Sequence, residues 1–178
     1  TTANQPQILA TGGPGNGPYL KFTGSSSQYL LTASGPTLAS FYSLSCVAMR
    51  SALFTTQMAV MRATAFFGFE GTANEFGMFV GGFLTAAGVT DTNWHACNGT
   101  LINPVSNSTL NIDGTTVTGS PGGPNTQTGA LCIGAASGTS NFLTGGFAEG
   151  GWTTVTGFTP TEQAAMNANQ HGIYGWNF

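Results

Sequence analysis

At 178 residues the chain fits one domain and is long enough to bury a core without disulfides or metal. Only 5% of its residues are charged, against about 25% in an average soluble domain, so Ser, Thr, Asn, Gln and Gly must cover the surface. A net charge of −3 with three Lys or Arg excludes a patch able to neutralise phosphates, and no apolar run reaches the ~20 residues that span a bilayer, so neither nucleic acid nor membrane insertion is expected.

Thr1 to Pro6 show no basic region followed by an apolar stretch, so the amino end does not read as a leader and the chain reads as soluble. Glycine and proline clusters follow at Gly12 to Pro18, Gly24 to Ser27, Gly35-Pro36, Gly71 to Asn74, Gly81-Gly82, Gly119 to Pro124 and Gly134 to Ser140. The short aromatic and β-branched stretches between them read as strands closed by turns. Strands are predicted at Tyr19 to Phe22, Gln28 to Thr32, Phe41 to Met49, Gln57 to Arg62, Phe66 to Glu70 and Glu75 to Val80. Further strands are predicted at Trp94 to Cys97, Thr109 to Ile112, Ala130 to Ile133 and Phe147 to Val155. The stretch from Phe41 has apolar residues on both faces, which suits a central strand.

Asp113-Gly114 suits a type I′ hairpin turn, because glycine accepts the positive φ that turn requires. Near the end, Thr159 is placed as N-cap, Pro160 at the first helical position and Glu162 three residues after the cap. This capping box predicts a helix over about Pro160 to Gln170, with Met166 as its apolar anchor. The pattern predicts an all-β sandwich or barrel forming a single domain over residues 1–178. Cys46, Cys97 and Cys132 sit in strand-like stretches and read as buried, reduced thiols. A Cys97–Cys132 bridge requires neighbouring strands and stays open.

The order of these pieces resembles a concanavalin A-like, laminin-G-like jelly-roll domain. The resemblance is carried by Leu20 to Ser25 with Gln28-Tyr29-Leu30, by Trp94-His95, and by Leu110 to Gly114. Leu131 to Gly134, Gly145 to Glu149 and the Thr159 to Glu162 helix start complete it, so that it spans roughly residues 19–175. It implies a two-sheet antiparallel jelly-roll β-sandwich with one short C-terminal helix. Departures from the family pattern are Cys97-Asn98-Gly99 and Pro104, which interrupt the Trp-His strand, and Gly150-Gly151 after the closing Glu.

Glycoside hydrolases of this fold carry close carboxylates in a Glu-x-Asp-x-x-Glu or Glu-x-Asp-x-Glu run, and none occurs here. Glu70 and Glu75 flank a predicted hairpin turn instead. His95 and His171 lack the nucleophile elbow and the ligand spacing that a triad or a zinc centre needs. Asp113 reads as a turn residue, and with Asp91 as the other loop candidate a strong calcium site is not expected. No catalytic residue, metal or cofactor is therefore assigned.

Sugar binding needs aromatic faces and neutral amides or hydroxyls, and the chain is rich in both. Candidate ligand-binding residues are Trp152, Trp176, Tyr19 and Asn98, with Phe66, Phe67 and Phe69 as further aromatics, while Trp94 is expected in the core. The leading expectation is a non-catalytic extracellular or surface-displayed module that recognises a glycan. Its alternative is a structural or assembly subunit of a virion or surface array, partnered by copies of itself or by other surface proteins as a homo-oligomer. A glycoside hydrolase or lyase ranks third. Asn98-Gly99-Thr100 and Asn107-Ser108-Thr109 match the N-glycosylation acceptor pattern.

Overall fold

The computed structural model describes residues 5–35, 37, 41–53, 55–62, 65–71, 75–86, 89–123, 128–136, 138, 140–153 and 156–175. Two sheets face each other, and every neighbouring pair of strands in them is antiparallel. The seven-stranded sheet runs in the order β1 (Gln7–Leu9), β2 (Tyr19–Phe22), β13 (Gly145–Trp152), β4 (Tyr42–Arg50), β9 (His95–Leu101), β10 (Ser108–Ile112) and β11 (Thr115–Gly119). The six-stranded sheet runs β3 (Leu30–Leu31), β12 (Leu131–Ile133), β5 (Gln57–Arg62), β6 (Ala65–Glu70), β7 (Glu75–Phe79) and β8 (Phe83–Ala86). Among the described residues there is one α-helix, α1 (Pro160–Tyr174), and it lies against the outer face of the larger sheet.

Alternation sets the core. Phe67 and Phe69 of β6 and Phe76 and Met78 of β7 point inward and are fully buried, with Phe76 meeting Phe67 and Phe69 edge to face at 4.7 and 5.0 Å. Tyr42, Leu44, Cys46 and Ala48 of β4 oppose them, while Ser43, Ser45 and Val47 on the other face of β4 are buried too. The central-strand expectation for this stretch therefore holds. Cys97 and Cys132 lie in different sheets, and the lateral neighbour of Cys97 is Cys46. All three thiols are free and buried, and burial pushes those of Cys97 and Cys132 upward in pKa.

Three expectations require correction. The strand after Trp94 does not stop at Cys97 but continues through Asn98-Gly99-Thr100 to Leu101. Gly99 faces inward there, and a Cβ on it would come within 2.9 Å of Met78 and Phe67, so this glycine admits the opposing sheet and is not a turn. The helix extends past Gln170 to Tyr174 and closes at Gly175, whose φ is 66° and whose N–H donates to the His171 carbonyl. Its anchor is not Met166, which is only half-buried. The buried residues of α1 are Gln163 and Gln170, and they dock on a polar sheet face.

That interface is a network of amides. Gln170 donates through Nε2 to Ser45 Oγ at 3.2 Å and to Glu149 Oε1 at 3.1 Å, and it accepts from Asn98 Nδ2 at 3.2 Å. Asn167 donates to Asn111 Oδ1 at 2.8 Å, Gln163 donates to the Asn98 carbonyl at 3.2 Å, and Tyr174 donates to Glu149 Oε2 at 2.9 Å. Replacing Gln170 with Ala strands several buried partners at once, at a cost of about 1–3 kcal/mol. Chemical denaturation of the variant checks this as a lower midpoint with an unchanged slope.

Candidate functional site

The outer face of the larger sheet has two halves. Helix α1 covers one, over Ser45, Asn98, Asn111 and Glu149. The other is formed by β2, β13 and the end of β4, where Lys21, Gly146 and Met49 stand in register on adjacent strands.

Two aromatic side chains rest on this open half. Tyr19 on β2 and Trp94, just before β9, meet edge to face with ring centroids 5.3 Å apart and an interplanar angle of 83°. Gly146 makes the arrangement possible, since a Cβ there would collide with the Trp94 ring and sit 3.0 Å from Tyr19 Cδ2. Both aromatics are half-buried, and Trp94 lies on the outer face of the sheet, outside the core cluster in which its sequence context places it. Beside them is a hollow of about 300 Å³ lined by Tyr19, Lys21, Thr23, Met49, Ser51 and Thr144, together with Phe22 and Gly145. Tyr19 also borders a second hollow of about 270 Å³ in which Glu149 and Ile8 take part.

The loop that carries Trp94 is clamped by a histidine between two carboxylates. His95 Nε2 lies 2.9 Å from Asp91 Oδ1 and Nδ1 lies 2.5 Å from Asp113 Oδ2. Asp113 also accepts from the Ala96 N–H at 2.8 Å, and Asp91 accepts from the backbone and side chain of Asn93, both at 2.8 Å. Asp113 sits in the expected hairpin turn, with φ of 51° at Asp113 and 85° at Gly114. Burial acts to lower the His95 pKa, but the hydrogen bonds and charges of Asp113 and Asp91 outweigh it and raise the value. The imidazolium donates to both acids, whereas a neutral ring has one N–H to give.

A raised folded-state pKa contributes stability that is complete below the unfolded value of about 6.5 and is lost as pH rises through the folded value. Thermal stability is therefore expected to decline from pH 6 upward through the folded pKa of His95. A His95→Gln variant measured over the same range checks this by showing a flatter profile.

The structure separates the residues proposed from sequence. Tyr19 stands at the aromatic pair. Trp152 is half-buried and packs on the core cluster from β13. Trp176 lies outside the described residues. Asn98 is fully buried on β9 beneath α1, and its amide donates to Asn167 and Gln170. This placement buries the ligand-binding candidate Asn98 inside a continuous strand and closes its sequon in the folded chain, while Asn107 is exposed. Phe67 and Phe69 are core. Phe66 is on the outer face of the smaller sheet, stacked on Phe79 at 4.9 Å and 11° with Phe83 alongside, so these rings occupy one another's faces.

Glu70 and Glu75 are directly paired across β6 and β7, and Glu70 turns back to accept from the Gly71 N–H at 3.1 Å. Among the described residues, no three or more His, Cys, Asp or Glu side chains form a group able to hold a metal ion, and no helix is long and apolar enough to cross a membrane. A separate polar cleft of about 350 Å³ lies between α1 and the β10–β11 hairpin, where Thr109, Asn111, Thr116, Gln163 and Asn167 are among the lining residues.

No family model matches this chain, and no curated protein sequence matches it. Solved structures do match in fold. Domain 4 of AbnA, a GH43 extracellular arabinanase from Geobacillus stearothermophilus, in complex with arabinotriose, superposes with a TM-score of 0.64 at 13% identity, over 94% of this chain and 91% of that domain. The CBM40 of the Ruminococcus gnavus IT-sialidase bound to α2,3 sialyllactose gives 0.54 at 9% identity, covering 78% of this chain and 95% of that one. Trypanosoma rangeli sialidase in complex with sialic acid gives 0.55 at 9% identity over 75% of this chain, which spans only 23% of the sialidase. The chain has the concanavalin A-like jelly-roll sandwich fold.

Proposed function

We propose that this chain is a non-catalytic glycan-recognition module working outside the cell or on a cell or virion surface, and that the Tyr19–Trp94 face holds the sugar. The observation that carries the reading is the half-buried aromatic pair seated on Gly146 on the outer sheet face, beside a hollow lined by the hydroxyl-bearing Thr23, Ser51 and Thr144. Aromatic bodies supply contact area with little entropy to lose, and neutral hydroxyls replace the water that a sugar gives up. Two of the similar structures, the arabinanase domain and the CBM40, are bound to oligosaccharides, which supports the class of ligand. Asp91, Asp113 and Glu149 near this face are each hydrogen-bonded within the fold, so they read as structural groups and not as an acid and nucleophile pair. A glycan array probed with the wild-type chain and with Trp94→Ala tests the reading. Retention on one family of glycans, lost in the variant, is the expected result.

An assembly role is favoured by a different observation. Of the exposed large apolar side chains, Ile8, Leu30, Leu31 and Phe83 all lie on strands at sheet edges, namely β1, β3 and β8. Unpaired apolar edges are sites where copies of a chain add to one another. Light scattering of the purified chain separates a defined oligomer from a monomer.

A further inference from the structure

Resting on the reading of the Tyr19–Trp94 face, we infer that the sugar it selects carries an acidic group, a carboxylate or a sulfate, and that Lys21 recognises it. Lys21 is exposed on β2, directly across from Gly146, and lines the same hollow as Tyr19 and the hydroxyl groups of Thr23, Ser51 and Thr144. It takes part in none of the ion pairs among the described residues.

The distribution of the six acids leaves its charge uncancelled. Glu70 and Glu75 stand on the other sheet, at the β6–β7 pairing. Asp91 and Asp113 are both engaged with His95, and Glu162 caps α1. Glu149 is the acid nearest this face by register, but it borders the opposite hollow of Tyr19 with its two oxygens bonded to Gln170 and Tyr174. None of the six lines the hollow that holds Lys21. The other two basic residues are elsewhere, Arg50 sealed in the interior and Arg62 on the six-stranded sheet.

A cation on one side of Tyr19 and an anion on the other orient a ligand. An acidic sugar ring laid over the aromatic pair gains when its charge points to Lys21 and loses when it points to Glu149, so one binding direction is selected. Lysine offers a compact point charge and no planar fork, so the site distinguishes charge from no charge more sharply than carboxylate from sulfate. A partly exposed charge pair of this kind gives a selectivity of about fivefold, which weakens with salt.

The test uses the full chain and matched probes: lactose, sialyllactose, sulfated lactose and a uronate-containing oligosaccharide, titrated by calorimetry at low and high NaCl. Tighter binding of at least one acidic probe than of lactose, reduced by salt and abolished as a preference in Lys21→Gln, is the expected result. Lys21 is exposed, and an unchanged melting temperature in Lys21→Gln keeps folding out of the comparison. Equal affinity for neutral and acidic probes, or a preference that survives Lys21→Gln, overturns this inference and leaves glycan recognition standing. Failure of every probe and of a broad glycan array to bind overturns both.

Discussion

Replacing Trp94 with Ala is expected to lower glycan affinity at least tenfold while leaving the fold intact. Trp94 is half-buried on the outer sheet face, where it packs on the backbone of Gly146 and meets Tyr19 edge to face, and it lies outside the core cluster, so its truncation opens no cavity in the core. What it removes is one wall of the sugar platform and the ring that holds Tyr19 in place. Truncating a central aromatic anchor in a recognition surface costs about 2 kcal/mol or more, and 1.4 kcal/mol corresponds to tenfold. A Gly146→Val variant reaches the same end from below, because any Cβ at 146 meets the Trp94 ring and displaces it. Calorimetric titration beside a thermal melt checks both: weaker binding with a preserved melt for Trp94→Ala is the expected pair of readings.

The largest stability effect is expected at Arg50. This residue ends β4, is fully buried, and reaches the Val89 carbonyl through Nη2 at 2.5 Å and the Glu70 carbonyl through Nη1 at 3.4 Å. Its guanidinium carbon lies 5.2 Å from the centre of the Phe69 ring. It therefore ties together the end of β4, the end of β6 and the segment that leads to Trp94. Two effects oppose each other. Burial disfavours the charge and pushes the Arg50 pKa down, with Asp91 acting the other way, and Nε has no partner, so removing the cation alone is not costly. Truncation to Ala, however, empties a large interior volume and leaves buried carbonyls unpaired, which costs about 3–5 kcal/mol. That sum dominates, and for a chain of this size it lowers the melting temperature by roughly 6–20 °C. Arg50→Met fills most of the volume and is expected to lose about half as much, so the difference between the two variants measures the packing share.

Local chemistry was legible in the sequence wherever it depends on a few adjacent residues. Asp113-Gly114 announces its turn because both positions need positive φ, and Thr159 to Glu162 announces the helix start because cap and carboxylate satisfy each other's donors. Strands β5 and β6 are legible as short apolar and aromatic stretches ahead of the Gly71 to Asn74 turn signal, which is also a local property. Gly99 and Gly146 are not. Gly99 looks like a break in a strand and Gly146 stands just ahead of the strand predicted from Phe147, and the ring that fills the space of the missing side chain comes from far along the chain: Phe67 for Gly99, Trp94 for Gly146. The aromatic pair is hidden with them, because Tyr19 and Trp94 meet only after β2, β13, β4 and β9 have aligned. Asn98 misleads in the opposite sense. Its amide suits a ligand loop by composition, yet a polar helix face built from Gln163, Asn167 and Gln170 seals it, and an apolar pattern cannot reveal a helix that docks through amides.

The most direct test is a heteronuclear NMR titration of the intact chain with the tightest oligosaccharide from the array. Binding at the proposed face predicts saturable shifts of the Trp94 indole N–H and of the amides of Tyr19, Lys21 and Gly146, with Phe83 and the Thr109 to Asn167 cleft unmoved. Shifts that leave Trp94 untouched and gather instead at the cleft under α1 or at the Phe66, Phe79 and Phe83 cluster would contradict the account.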